Sequence, residues 1–112
     1  MAFSIYNMDT QFLNPPIFFD WDKGNINKNF RSHQVQDGEC EEVFFDSNKI
    51  LLVDNKHSDI EVRRAVIGTT RAKRKLTIFF TMRNNKIRVI SARDLSKKER
   101  KLYEETTKNS SF

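Results

Sequence analysis

Three glycines and two prolines are all that 112 residues contain. They cannot build a glycine-rich loop that wraps phosphates with backbone N–H groups, so no nucleotide cofactor is implied. The single cysteine, Cys40, excludes an internal disulfide, and with two histidines the chain has no Cys/His cluster at metal-ligand spacing. No pair of carboxylates is spaced for shared acid–base work, and neither a metal nor a cofactor is expected. Cys40 sits in a helical pattern, where a lone cysteine reads as a small buried apolar side chain rather than a nucleophile. No apolar run reaches about 18 residues, and the N-terminus lacks a basic stretch followed by an apolar one. Neither a membrane span nor a secretory signal is indicated, and a cytoplasmic protein is expected. Internal repeats and low-complexity segments are missing as well.

Aromatic bulk and charge are plentiful. Ten Phe, two Tyr and one Trp supply one hydrophobic core to a chain of single-domain length. The net charge of +5 hides a division: residues 1–62 hold 5 Lys/Arg against 11 Asp/Glu, net −6, while residues 63–101 hold 14 against 2, net +12. Such asymmetry within one small domain points to an anionic partner for the basic half, nucleic acid above all. A solvated basic surface is the plain alternative.

Residues 1–17 lack a period and end in Pro15-Pro16, which favours an extended backbone. They read as an appended arm with room for one short strand. Phe18 to His33 is expected to form a helix capped by Asp20 or Asp22, with Ile26, Phe30 and His33 sharing a face. Gly24 and three asparagines make it weak by propensity. A second short helix is expected over Asp37–Phe45, with Asp37 as N-cap, Cys40, Val43 and Phe44 inward, and Glu39, Glu41 and Glu42 outside.

Strand patterns follow at Lys49–Val53 and, after a polar loop Asp54–Glu61, at Val62–Thr69. A basic loop, Thr70–Lys75, leads to Leu76–Met82. Asn84-Asn85 suits a two-residue type I′ hairpin turn, because asparagine tolerates positive φ. The fourth strand, Lys86–Arg93, is apolar enough to be covered on both faces yet carries Arg88 and Arg93. Ser96-Lys97-Lys98-Glu99 is a capping box opening a helix to about Thr106 or Thr107, with Leu102 and Tyr103 inward. Lys108–Phe112 reads as a frayed tail. The sum is an α+β domain over residues 18–107: two N-terminal helices, a four-stranded antiparallel meander sheet and a C-terminal helix.

The turns fix a geometry. With Asn84 and Asn85 as turn residues, Thr81 pairs with Arg88; with the preceding loop centred on Ala72, Arg63 pairs with Thr81. Arg63, Thr81 and Arg88 then form a row on one face. Two guanidinium forks around a hydroxyl make a phosphate clamp, since the like charges repel unless an anion lies between them. Arg93 is expected on the opposite face, as an ion-pair arginine joining the sheet to the last helix.

From Phe19 to about Glu105 the chain resembles the BrnT toxins of bacterial type II toxin-antitoxin systems. The matching pieces are W-D at Trp21-Asp22, N-x-x-x-H at Asn29 and His33, E-V-F-F-D at Glu42 to Asp46, and His57-Ser58. They continue with Arg63 leading into A-V-I-G, F-F-T-M-R at Phe79 to Arg83, R-V-I-S-A-R at Arg88 to Arg93, and K-K-E-R-K-L-Y-E at Lys97 to Glu104. The resemblance implies a RelE-like fold and a ribonuclease toxin that inhibits growth by cleaving RNA. It also implies a small antitoxin, commonly of ribbon-helix-helix type, through whose complex alone promoter DNA is bound. The chain departs from the family pattern in having Asn25 where a lysine is usual, Gln34 where glycine follows the histidine, and Asp37 in place of an aromatic residue.

A metal-independent ribonuclease must activate the 2′-hydroxyl, stabilise charge on the phosphoryl oxygens and protonate the leaving 5′-oxygen. Arg63, Arg83 and Arg88 are the candidates for phosphate stabilisation, and His33 is the candidate acid or base. Arg71, Lys73, Arg74, Lys86, Thr81 and Tyr103 are candidates for RNA contact. Each has a structural alternative: His33 as a helix-end residue, His57 as a turn residue, Tyr103 as a core tyrosine with a satisfied hydroxyl, and Glu39 as a solvated carboxylate or the partner that orients His33. Two other functions stay open, a catalytically inactive nucleic-acid-binding module, which Asn25 favours, and an interaction protein that holds only an acidic antitoxin.

Overall fold

A computed structural model describes residues 3–5, 16–54 and 62–109 of the chain. In order these form β1 (Phe3–Ile5), α1 (Lys28–His33), α2 (Asp37–Val43), β2 (Ile50–Asp54), β3 (Arg64–Thr69), β4 (Lys75–Arg83), β5 (Lys86–Asp94) and α3 (Lys97–Asn109). The four-stranded antiparallel meander is present as expected, and β1 adds a fifth strand on the β2 side, giving the order β1-β2-β3-β4-β5. His57, most of the polar loop before β3, residues 6–15 of the arm and residues 110–112 lie outside the described residues.

Both faces of the sheet are covered, which explains the nearly continuous apolar runs of β3 and β4. On the back face Leu51, Val66, Ile78, Phe80, Ile87 and Val89 pack against Val35, Cys40, Val43 and Phe44 of the helical segment. Phe44 meets Phe80 and Phe19 edge to face, with centroids 5.0 and 5.4 Å apart. On the front face Ile50, Leu52, Ala65, Ile67 and Phe79 pack against Leu95 and Tyr103. Cys40 is fully buried, and burial pushes its thiol up to about 12, so it is a core side chain.

The segment after Pro16 is not the start of a helix. It runs alongside β5: Ile87 N–H donates to Phe18 O and Asp20 N–H to Ile87 O, both at 2.8 Å, in a short parallel bridge that closes the sheet edge. Alternation explains this use of F-F-D-W-D, since Ile17, Phe19 and Trp21 pack on the back-face core and the intervening Phe18, Asp20 and Asp22 do not. Asp22 makes a turn instead of a cap, its carboxylate accepting from Gly24 N–H at 2.8 Å. The helix begins only after Asn27, at φ 56°. Across the turn before it and the helix itself the inward residues are the polar ones: Asn25 and Asn29 are buried, whereas Ile26 and Phe30 are 45% and 50% exposed. Backbone hydrogen bonding decides this inversion, because Asn25 Nδ2 donates to Asp20 O and Val89 O while Asn29 Oδ1 accepts from Ala92 N–H.

The N-cap of α2 is Gln36 rather than Asp37, with Gln36 N–H bonded to Glu39 Oε1 at 3.0 Å. Asp37 instead accepts from Asn27 N–H, tying the two helices together. The capping box of α3 forms as read: Glu99 N–H donates to Ser96 Oγ and Ser96 N–H to Glu99 Oε1. That helix continues to Asn109, past the expected end at Thr106 or Thr107, so Lys108 and Asn109 belong to it and not to a tail.

The hairpin turn has Asn84 and Asn85 at φ 51° and 62°, and Thr81 pairs with Arg88. The pairing then slips by one residue between Phe79 and Phe80. This β-bulge corrects the expectation for Arg93. The extra residue in β5 reverses its alternation, so Arg93, opposite Thr77, faces the same side as Arg88. There it binds Glu99 of α3 through both terminal nitrogens, at 2.7 and 3.0 Å, which keeps the expected role of joining sheet to helix.

Gln34, which closes α1, sits at φ 58°, a left-handed conformation that costs a non-glycine side chain about 1 kcal/mol. Gln34→Gly is expected to raise stability by roughly 0.5–1 kcal/mol in chemical denaturation, and a loss of stability would contradict that origin of the strain. Glu99 is 6% exposed. Its burial alone would raise the pKa, but Arg93, Ser96 N–H and Thr77 together outweigh it and hold the carboxyl below 4.5. Its stabilising effect is therefore complete above the ordinary carboxylate range and is lost as pH falls through the lowered value. Glu99→Gln should cost about 2 kcal/mol at pH 7, with the gap to wild type narrowing below about pH 4.5. A gap independent of pH in urea denaturation would show that the charge is not responsible.

Candidate functional site

The front face at the hairpin end gathers the arginines. Arg63 immediately precedes β3, one step beyond the Arg64–Phe80 pair and so level with Thr81. Its guanidinium lies 4.8 Å from the centroid of the Phe79 ring, and that of Arg93 lies 5.3 Å from the same ring. Thr81 is 2% exposed, and its Oγ1 has no hydrogen-bond partner among the described residues. Arg83 and Lys86, cross-strand partners next to the turn, are exposed. By alternation they share the face of Thr81 and Arg88.

Arg88 does not point into open solvent. Its two terminal nitrogens grip the Asp22 carboxylate, both at 2.9 Å, and one lies 3.4 Å from Asp20. The pair holds Asp22 below the usual carboxylate range, with the Arg88 hydrogen bond the first cause and Gly24 N–H the second. Gly24 leaves the space required, since a Cβ there would lie 2.9 Å from an Arg88 nitrogen. Asp20 and Asp22 are members of this site that the row argument did not contain. The signal for them was the W-D motif together with the alternation of residues 17–22.

The other candidates are placed elsewhere. Arg74 Nε donates to Asp94 at 2.9 Å while its terminal nitrogens donate to the carbonyls of Gln34 and His33 at the end of α1. This arginine locks a helix C-terminus to the far end of β5, and its bond holds Asp94 below its ordinary range. The exposed His33 therefore sits at the Asp94 end, six residues along β5 from Arg88, about 20 Å. The structure does not bring His33 and the arginine row to one phosphate. Arg71 and Lys73 are exposed on the β3–β4 turn, at that same far end. Tyr103 is 5% exposed, donating to Asp46 Oδ2 at 2.6 Å and accepting from Thr69 Oγ1 at 2.8 Å. Burial, then the Asp46 bond, raises its pKa.

A groove of about 460 Å³ opens between α2 and the β3–β4 turn, bordered by Glu41, Glu42, Asp46 and Phe45. Its acids are already engaged, Glu41 by Trp21 Nε1 at 2.7 Å and Glu42 by Arg71 N–H at 3.0 Å. An acidic groove repels phosphate, so the basic hairpin end is the better candidate for an anion site. Among the described residues no group of three or more His, Cys, Asp or Glu could hold a metal ion. Among them, too, no helix is long and apolar enough to cross a membrane.

Among curated proteins none matches the chain. The profile described as "Ribonuclease toxin, BrnT, of type II toxin-antitoxin system" matches residues 21–99, from the tryptophan of the edge segment through the β5 arginines to the glutamate that caps α3. The chain belongs to the BrnT family of ribonuclease toxins of type II toxin-antitoxin systems.

Proposed function

We propose that this protein is a cytoplasmic, metal-independent endoribonuclease of RelE-like fold, cleaving RNA at the hairpin end of its front sheet face. The observation that carries the reading is the row itself: Arg63, the unpartnered hydroxyl of buried Thr81, and Arg88 lie level across three strands, with Arg83 and Lys86 one row beyond. Fixed guanidinium charges on a rigid sheet suit the stabilisation of a phosphorane, because no reorganisation is needed as charge develops. Guanidinium donors match phosphate oxygens in pairs, and at Arg88 a phosphate would take over the two donors that the Asp22 carboxylate now accepts.

Proton transfer falls to groups at the row. Asp20, two residues before Asp22 and 3.4 Å from Arg88, is the carboxylate we assign as base for the 2′-hydroxyl. His33 is too distant to share the same phosphate. Arg71 and Lys73, at the other end of the sheet, would hold the strand further along. The antitoxin is a small ribbon-helix-helix protein laid over this basic face when the toxin is idle, an electrostatic fit that also gives fast association. Promoter DNA is then bound only through the complex.

Purified protein is expected to cleave single-stranded RNA in the presence of EDTA. Arg63→Ala with Arg88→Ala should lower the rate at least about 100-fold. Arg88→Lys, which keeps the charge but loses the bidentate fork, separates folding from chemistry when thermal melts are compared. Asp20→Asn should lower the rate at neutral pH by about 100-fold or more. Cleavage abolished by chelation, or unchanged in the folded double variant, would sink the proposal.

A second reading, an inactive RNA- or antitoxin-binding module, is favoured by Asn25. This residue stands where the family usually has lysine and is buried with its amide satisfied by Asp20, Asp22 and Val89. Tight RNA binding by a folded protein that leaves the RNA intact would support it.

A further inference from the structure

Phe18 is the exposed aromatic residue at the edge of the arginine face. Phe18 is 58% exposed, although its carbonyl accepts from Ile87 N–H and the next bond along, Asp20 N–H to Ile87 O, holds the strand that follows. The neighbours Ile17 and Phe19, partly buried, pack on the back-face core, so alternation sends Phe18 to the front, the side on which Asp20 meets Arg88. The parallel bridge pairs Phe19 with Ile87, which sets Phe18 level with Lys86 and, across β5, with Arg83. Two adjacent rows result. One runs Arg63, Thr81, Arg88, Asp20; the other, about 7 Å away along the strands, runs Arg83, Lys86, Phe18.

A large aromatic face held in water on a rigid strand edge brings no folding stability, and here it stands beside two exposed cations and next to the arginine row. Single-stranded nucleic acid is recognised by this combination: cations follow the backbone while aromatic rings take the unstacked bases. We propose that Phe18 is a nucleobase-stacking subsite, holding the base next to the phosphate bound by the Thr81–Arg88 row, with Arg83 and Lys86 pairing with the adjoining phosphate. This inference rests on the RNA-cleaving reading and assigns the substrate's reacting linkage to unpaired RNA. Stacking accepts any base, so sequence preference at this position is expected to be weak.

The test uses the full chain with short single-stranded oligonucleotides whose 2′-hydroxyls are methylated, so that binding is measured without cleavage, plus an oligonucleotide abasic at one position. Phe18→Ala should weaken binding about tenfold and leave the melting temperature within a degree or two of wild type. Phe18→Trp should restore the affinity, and its added fluorescence should be quenched by the base-containing strand but not when the stacked position is abasic. Phe18→Leu, of similar bulk without a π face, should behave like the alanine variant. Wild-type RNA binding that Phe18→Ala leaves unchanged would overturn the stacking role while the ribonuclease reading stands. So would a Phe18→Leu variant as strong as wild type, or loss of antitoxin binding alone. Failure of wild-type protein to bind any oligonucleotide would overturn both.

Discussion

One extra residue in β5 determines how charge is arranged in this protein. Without the bulge opposite Phe79 and Phe80, strict alternation would place Arg88 and Arg93 on opposite faces, and Arg93 would enter the back-face core against uncharged Phe44 and Val35. With it, both arginines come to the front. Arg93 meets Glu99, itself fixed by the α3 capping box and by Thr77 Oγ1 at 2.8 Å. The Phe79 ring then has Arg93 at one contact and Arg63 at another. The placement of Arg63 thus depends on a chain of contacts that begins at the start of the last helix.

The same face shows why a large positive charge can be folded into so small a domain. The acidic and basic segments of the sequence meet at Arg88 and Arg74, and the two acids of the basic segment, Asp94 and Glu99, pair within it. Asp20 and Asp22 neutralise Arg88, Glu39 and Asp94 flank Arg74, and Glu99 takes Arg93. These pairs are partly exposed, so each contributes modestly to stability, yet they fix guanidinium groups in place. Arg71, Lys73 and Lys86 carry the exposed charge that long-range attraction to a polyanion requires. Arg74 shows the division: it belongs to the basic loop by sequence and to a helix end by contact.

Much of this architecture was legible in the sequence because it depends on local rules. The two asparagines specify a type I′ turn, the turn fixes Thr81 against Arg88, and Ser96 with Glu99 caps α3. What escaped was decided by long-range backbone bonding. The helical spacing of Ile26, Phe30 and His33 is real, but the carbonyl of Val89 and the N–H of Ala92 needed polar partners, so the asparagines turned inward and the apolar stripe outward. A bulge has no signature in β5, where every residue from Val89 to Ala92 suits either register. F-F-D-W-D could be a capped helix start or an alternating edge strand, and the nearby unpaired edge of β5 settled it.

That edge also explains how the site is tied to the fold. The segment from Ile17 to Asp22 has three tasks at alternating positions: its odd residues complete the back-face core, its backbone closes the sheet, and its even residues, Phe18, Asp20 and Asp22, enter the front face. Asn25 then pins the loop, donating to Asp20 O at 2.9 Å and to Val89 O at 3.1 Å. A lysine at this position could reach the same two carbonyls with its ammonium while burying its stem, but it could not accept from Asp22 N–H as Asn25 Oδ1 does at 2.8 Å. The asparagine is therefore a structural solution for the loop that presents Asp22 to Arg88.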